Sequence, residues 1–268
     1  MTLDVTDLSV TVGGRRVVEG LGFSVGAGER LGLIGESGSG KSMTALAIMG
    51  LLPEGATAAG SVRVGGSDIL GRPERALARI RGVQLSMVFQ EPMTALDPVM
   101  RIGAQVALAL RLHQKLSRRS ALERARELLA TVELPDPDRM LRAYPHQLSG
   151  GQRQRVVLAM ALAHDPEVLI CDEPTTALDV TVQARMLALI DRLVVERNAA
   201  LLFITHDLAV VSGLCQRVLV VHEGRPVESG PVAEVFTAPQ TGYTADLLAA
   251  SDLAAAEPGT RLKVGRHE

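Results

Sequence analysis

The chain has 268 residues, enough to bury a full hydrophobic core, and its 28 basic against 30 acidic side chains leave a formal charge of −2. That balance gives no electrostatic case for nucleic acid as a partner. Apolar residues make up 47 % of the chain, yet no apolar run reaches the roughly 18 residues that a membrane-spanning helix requires. The opening MTLDVTDLSV carries acidic residues instead of a basic segment followed by an apolar one, so no secretion signal is expected and the chain reads as cytoplasmic. In that compartment Cys171 and Cys215, in or beside apolar runs, are expected as buried reduced thiols.

Residues 3 to 34 read as strands: Leu3, Val5 and Leu8 to Val12, then Val17 to Val25 across the Gly13-Gly14 turn, then Arg30 to Ile34. Directly after Leu31-Gly32-Leu33-Ile34 comes Gly35-Glu36-Ser37-Gly38-Ser39-Gly40-Lys41-Ser42, and a helix-forming run from Met43 to Leu52 follows. Strand, glycine loop and helix thus arrive in the order of a P-loop. Its glycines let successive N–H groups turn toward phosphate oxygens, and the helix start adds the positive end of its dipole. Lys41 is expected at the β/γ-phosphates and Ser42 on Mg²⁺. Gly60 to Gly66 reads as a further hairpin, Pro73 to Arg81 as a short exposed helix, and Val83 to Phe89 as a strand whose end places Gln90 within reach of the metal. Beyond Pro98 the pattern turns helical, with Ile102 to His113, Ser117 to Val132 and Asp138 to Tyr144. Leu122, Ala125, Leu128 and Leu129 are spaced for one buried face, and Arg118, Arg119, Arg124 and Arg126 for a solvated one.

Ser149-Gly150-Gly151 precedes a helix expected from Gln152 to about His164, which makes a second anion-seeking helix start. It could serve another ligand, act only as a cap, or close over a nucleotide held by a different subunit. Val168 to Cys171 is a buried strand, and Asp172-Glu173 emerge at its C-terminal end, where open α/β sheets place their ligands. Asp172 is expected to hold Mg²⁺ through its water shell and Glu173 to polarise a water attacking the γ-phosphate. A helix from Thr181 to Arg197 and a strand from Ala200 to Thr205 follow, and His206 at that strand's end is expected beside the γ-phosphate. Val218 to His222 and Pro226 to Glu228 read as closing strands, Val232 to Phe236 as a core helix, Thr244 to Ala250 as a short helix, and the end as disordered.

With GESGSGKS at 35 to 42, Gln90, LSGGQ at 148 to 152, LICDEP at 169 to 174, ALD at 177 to 179 and His206, the chain resembles the ATP-binding subunit of ABC transporters over about residues 3 to 250. QEPMTALDPVMRIGAQ from Gln90, the run from Tyr144 through Gln183, and GYTADLL from Gly242 look like the peptide/nickel permease subfamily of importers. The resemblance implies an α/β P-loop NTPase (RecA-like) core with an N-terminal antiparallel β subdomain and an inserted α-helical subdomain. The ATPase domain would span residues 1–236, as a core of 1–90 and 151–236 around an insert at 91–150, with a tail at 237–268.

It further implies ATP on Gly35, Glu36, Ser37, Gly38, Ser39, Gly40, Lys41, Ser42 and Met43, and Mg²⁺ on Ser42, Gln90 and Asp172. Glu173 would be the general base, with His206 at the γ-phosphate. Leu148, Ser149, Gly150, Gly151 and Gln152 would meet the nucleotide of a partner subunit, and Asp179 would couple the two sites. The expected partners are two integral membrane permease subunits, a second homologous ATPase in a heterodimer, and indirectly an extracytoplasmic solute-binding protein, at the cytoplasmic face of the membrane. A nickel or metal-chelate importer, or a non-transport accessory ATPase as in phosphonate breakdown, are the alternatives.

Two departures from the family pattern stand out. The aromatic residue that stacks on adenine falls near Val12 here, and no aromatic lies between residues 1 and 22, so weaker ATP binding is expected. Without a cysteine-bearing C-terminal extension, no iron–sulfur cluster is expected, and the short tail leans slightly toward nickel.

Overall fold

The computed structural model describes residues 1–89, 95–176 and 178–251. β1 (Leu3–Val12) and β2 (Arg15–Val25) form a hairpin across Gly13-Gly14, both at positive φ (55° and 79°), as a two-residue primed turn needs. β3 (Arg30–Ile34) belongs to a second sheet and leads into α1 (Lys41–Met49). β4 (Ala56–Val64) then pairs antiparallel with β1, and β5 (Ser67–Asp68) completes the order β2-β1-β4-β5.

After α2 (Glu74–Ile80) come β6 (Leu85–Val88) and a helical stretch: α3 (Ile102–His113), α4 (Arg118–Thr131), α5 (Pro137–Arg142) and α6 (Gly150–Ala161). β7 (Val168–Asp172), α7 (Val180–Arg197), β8 (Ala200–Ile204), α8 (Leu208–Leu214), β9 (Arg217–His222), β10 (Arg225–Pro231), α9 (Val232–Thr237) and α10 (Gly242–Ala250) follow. The second sheet has the order β10-β9-β3-β8-β7-β6; all its pairings are parallel except the antiparallel one of β10 with β9.

Every residue of β6, β7 and β8 is buried, because this sheet is covered on both faces; that is why VLICD and ALLFI read as unbroken runs. Side chains on β7 alternate between two cores. Ile170 joins Leu3, Leu21, Ala45 and Ile48 between the sheets, so α1 is packed against the N-terminal sheet. Leu169 and Cys171 join Leu129, Val156, Ile190 and Phe203 on the opposite, helical side. Burying each such leucine fully is worth about 1.5–3 kcal/mol.

Several boundaries differ from expectation. α1 ends at Met49, short of Leu52, because Gly50 enters the left-handed region (φ 63°) and its N–H caps back onto Ala47 and Leu46 carbonyls. α2 is not wholly exposed: Leu77 and Ile80 are buried, and Leu77 packs on Gly50 so closely that a Cβ there would lie 2.7 Å from Cδ1. α6 begins at Gly150, so both glycines are inside the helix and do not precede it. α8 was not foreseen; its N-cap Asp207 accepts hydrogen bonds from the N–H groups of Ala209 and Val210 at 3.0 and 3.2 Å. On α4 the buried face is Ala121, Ala125, Leu128 and Leu129, with Leu122 only half-buried. Arg119, Arg124 and Arg126 pair with Glu123, Glu127 and Asp138 in exposed contacts that contribute at most about 1 kcal/mol each.

Both cysteines are buried and free; burial pushes the Cys215 thiol up to about 12 and Cys171 upward as well, so both stay protonated and unreactive. Gln90 and residues 252–268 lie outside the described residues, and with them the expectations of a metal contact at Gln90 and of a disordered end.

Candidate active site

The strands set the site. The paired registers Leu33↔Ile204 and Asp172↔Ile204 bring the C-terminal ends of β3, β8 and β7 level, so the glycine loop, Asp172-Glu173 and His206 leave the sheet at one edge. Within the loop, Gly35 and Gly40 are dictated by their surroundings. A Cβ on Gly35 (φ +150°) would lie 2.0 Å from the Val221 carbonyl oxygen, and one on Gly40 (φ +92°) 2.6 Å from that of Val17. Gly38 (φ +81°) faces open space and is needed for its backbone alone.

Lys41 curls back under the loop. Its Nζ donates to the carbonyls of Gly35 and Glu36, both at 2.8 Å, and approaches Ser39 Oγ at 3.4 Å. Burial lowers its pKa, opposed by the nearby charges of Glu173, Asp172 and Glu36. The first intrahelical bond of α1 is from Thr44 N–H to Gly40 O (2.9 Å), which leaves the N–H groups of Lys41, Ser42 and Met43 ahead of the helical ladder. Ser37 is exposed on the loop, and Met43 packs its side chain on the core between the sheets.

Ser42 Oγ donates to Asp172 Oδ1 at 3.2 Å, which joins the loop to β7. Asp172 is buried, and burial raises its pKa against the opposing effects of the Ser42 hydrogen bond and Lys41. A hydroxyl and a carboxylate are hard oxygen donors of the kind Mg²⁺ takes when a substrate's phosphates complete its shell. Among the described residues no group of three His, Cys, Asp or Glu could hold a metal by itself. The pair therefore fits an ion that arrives with phosphate.

Glu173 is a non-glycine residue in the left-handed region (φ 46°), a conformation that costs about 1 kcal/mol or more. Its N–H is held by the Ile204 carbonyl at 2.9 Å. Its carboxylate accepts from His206 Nδ1 (3.0 Å) and from the Thr176 hydroxyl (2.8 Å). Burial pushes Glu173 up, but these hydrogen bonds and the charge of Lys41 outweigh it, and the group rests below its ordinary value. An ionised carboxylate only accepts, so Nδ1 carries the proton and Nε2 of a neutral His206 has just a lone pair. Donation from His206 to a phosphate oxygen requires the imidazolium or release from Glu173.

The Ser149–Gly151 turn is built differently. Ser149 Oγ accepts from Gln152 N–H (3.3 Å) and Gln152 Oε1 from Ser149 N–H (3.0 Å), a reciprocal capping box. Two consecutive glycines and a cap therefore coexist here. Leu148 is buried beneath the turn. A Cβ on Gly151 would lie 2.5 Å from Val182 Cγ1, whereas among the described residues one on Gly150 meets only Leu178 Cδ2 at 3.7 Å. Asp179 is the N-cap of α7, accepting from Val182 N–H at 2.9 Å, so it holds the segment on which Gly151 leans.

Lys41, Ser42, Asp172, Glu173 and His206 thus share one edge, while Gly150 and Gly151 border Leu178 and Val182. Sequence reading missed two contributors. Thr176 could have been suspected as a hydroxyl three residues after the acid in a tight turn. Tyr243, whose hydroxyl accepts from Glu36 N–H at 3.2 Å, comes from the C-terminal helix, and no local pattern links it to the loop.

A family model described as ABC transporter matches residues 18–176. The chain is 47 % identical over 266 residues to the oligopeptide transport ATP-binding protein OppD of Escherichia coli (strain K12), covering 98 % of this chain and 79 % of that one. It is 48 % identical to a probable peptide ABC transporter ATP-binding protein of Sinorhizobium fredii, covering 92 % and 76 %. A solved dimeric ATP-binding cassette, in a post-hydrolysis state bound to ADP and phosphate, superposes with a TM-score of 0.76 at 26 % identity, over 86 % of this chain and 98 % of that one.

Proposed function

This chain belongs to the ABC transporter family, and on that premise we propose that it is the ATP-hydrolysing subunit of an importer for peptides. The observation that carries this reading is the junction of Ser42 with Asp172 at 3.2 Å beside Glu173 and His206 at 3.0 Å, all at the sheet edge where the glycine loop opens. Mg²⁺, held by Ser42 and Asp172, would neutralise charge on the transferring phosphate. Lys41 exchanges carbonyl partners for phosphate oxygens. Glu173, kept ionised by its two donors, accepts a proton from the water whose oxygen attacks the γ-phosphorus as the bond to the β-phosphate oxygen breaks. His206 steadies the γ-phosphate once imidazolium or free of Glu173.

Leu148 to Gln152 would face the nucleotide of a second, homologous ATPase, with Asp179 passing the state of one site to the other. The support is that among the described residues Gly150 has no close packing partner that demands a glycine. The two permease subunits would dock at a groove of about 470 Å³ lined by Met49, Phe89, Ala109, Val157 and Met160, between β6 and the helical stretch. Leu108 and Leu112, 51 % and 71 % exposed, lie on the adjoining rim. No helix among the described residues is long and apolar enough to cross a membrane; bound to its permease partners, the chain would sit at the cytoplasmic face. The relatives are named as transport proteins for oligopeptides and peptides, which favours that cargo over nickel. An external binding protein would deliver the cargo.

Extraction from membranes in detergent tests the assignment. Co-purification with two permease-type polypeptides and a second cassette is expected, with ATPase activity; a soluble complex with metabolic enzymes would overturn it in favour of the accessory reading.

A further inference from the structure

The segment GYTADLL, Gly242–Leu248, reaches the phosphate loop. Tyr243, in the first turn of α10, accepts a hydrogen bond from Glu36 N–H at 3.2 Å. Its ring lies against the His222 imidazole, with centroids 3.9 Å apart and planes tilted by 34°. His222 ends β9, and the preceding Val221 presents the carbonyl that a Cβ on Gly35 would strike at 2.0 Å. One peptide unit, the link from Gly35 to Glu36, is therefore held from three directions. Its carbonyl accepts from Lys41 Nζ at 2.8 Å, its N–H donates to Tyr243, and its Cα abuts Val221.

The helix that carries Tyr243 is itself anchored. The Glu228 carboxylate on β10 accepts from Gln240 N–H (2.9 Å), Thr241 N–H (3.3 Å) and the Thr241 hydroxyl (3.3 Å). Thr241 caps α10 through Thr244 N–H (3.2 Å), and Thr244 is fully buried. Tyr243 is thus presented on a fixed support, and its bond to Glu36 is not a chance contact of a loose end.

Lys41 uses its ammonium on Gly35, Glu36 and Ser39, and must release some of these acceptors to meet a phosphate. On release, the Gly35–Glu36 peptide loses the partner on its carbonyl side. The bond to Tyr243 on the N–H side of the same plane keeps it from turning. We infer that Tyr243 is a positioning residue that fixes the first peptide of the phosphate loop for nucleotide capture, acting through the Gly35–Glu36 backbone without touching the nucleotide. This inference rests on the ATPase reading above.

Tyr243→Phe keeps the ring on His222 and removes only the oxygen. Calorimetric titration of the full chain with Mg-ATP is expected to show affinity weakened about 3- to 10-fold, the loss of one hydrogen bond. Turnover at saturating ATP in the assembled transporter should stay within about twofold, because the contact supports binding more than chemistry. Amide exchange at Glu36 should quicken while core strands keep their protection. Unchanged ATP affinity, or unchanged exchange at Glu36, overturns the inference, as does a general fall in thermal stability with KM and kcat lost together. Absence of ATP binding by the wild-type chain would refute the ATPase reading instead, and the Glu36 comparison would still decide whether Tyr243 holds the loop.

Discussion

Two helix starts rich in glycine and serine, at Gly40-Lys41 and at Ser149-Gly150, look alike on paper and differ in the folded chain. The first is enclosed. Gly35 and Gly40 are wedged against backbone carbonyls of β9 and β2 at positive φ, and Lys41 is folded inside. The second has ordinary backbone, closes part of itself with the Ser149–Gln152 capping box, and among the described residues presents Gly150 with no contact closer than ordinary packing against Leu178. Gly35 and Gly40 are required by their own chain, whereas nothing among the described residues requires a glycine at position 150, which is what a turn completed by a second subunit would show.

The largest effect should come from the carboxylate that serves the enclosed site. Glu173→Gln is expected to lower steady-state ATPase by about 10²–10⁴-fold with ATP affinity retained; an unchanged rate would remove Glu173 from the chemistry. Next, Gly35→Ala should weaken ATP binding roughly 10- to 100-fold, since the new Cβ strains a backbone that stores about 1–3 kcal/mol. Equal affinity in a titration would break the claim that the loop is wedged. Smallest is Val12→Tyr, which places an aromatic where the family resemblance puts the adenine. It should tighten ATP by no more than about 0.5–1.5 kcal/mol, and no tightening would count against the missing stack as a cause of weak binding.

Much of this was legible in the sequence, for physical reasons. Strands buried on both faces read as unbroken apolar runs, so β7 and β8 were found nearly to the residue, and the glycine loop was found because strand, loop and helix must come in that order. Short elements governed by caps were not. α1 stops at Gly50 because a left-handed glycine is cheaper there than two more helical residues, and α8 exists because Asp207 caps it. At Ser149 the sequence leaves a cap as one of three alternatives, and the serine and Gln152 do make one. Contacts between segments far apart in sequence, such as Tyr243 with Glu36, leave no local pattern at all.

Gly150→Asp is the direct test of the difference between the two helix starts. An aspartate in the first helical turn favours the dipole by about 0.3–1 kcal/mol, so the fold should hold. Its charge would face any phosphate brought to the turn. The isolated variant is expected to bind ATP like wild type, while ATP hydrolysis by the assembled transporter falls by roughly 10²-fold, the scale of losing one preorganised donor. Wild-type hydrolysis would reduce the turn to a cap, and loss of ATP affinity in the isolated chain would mean that it serves its own nucleotide; either result contradicts the account.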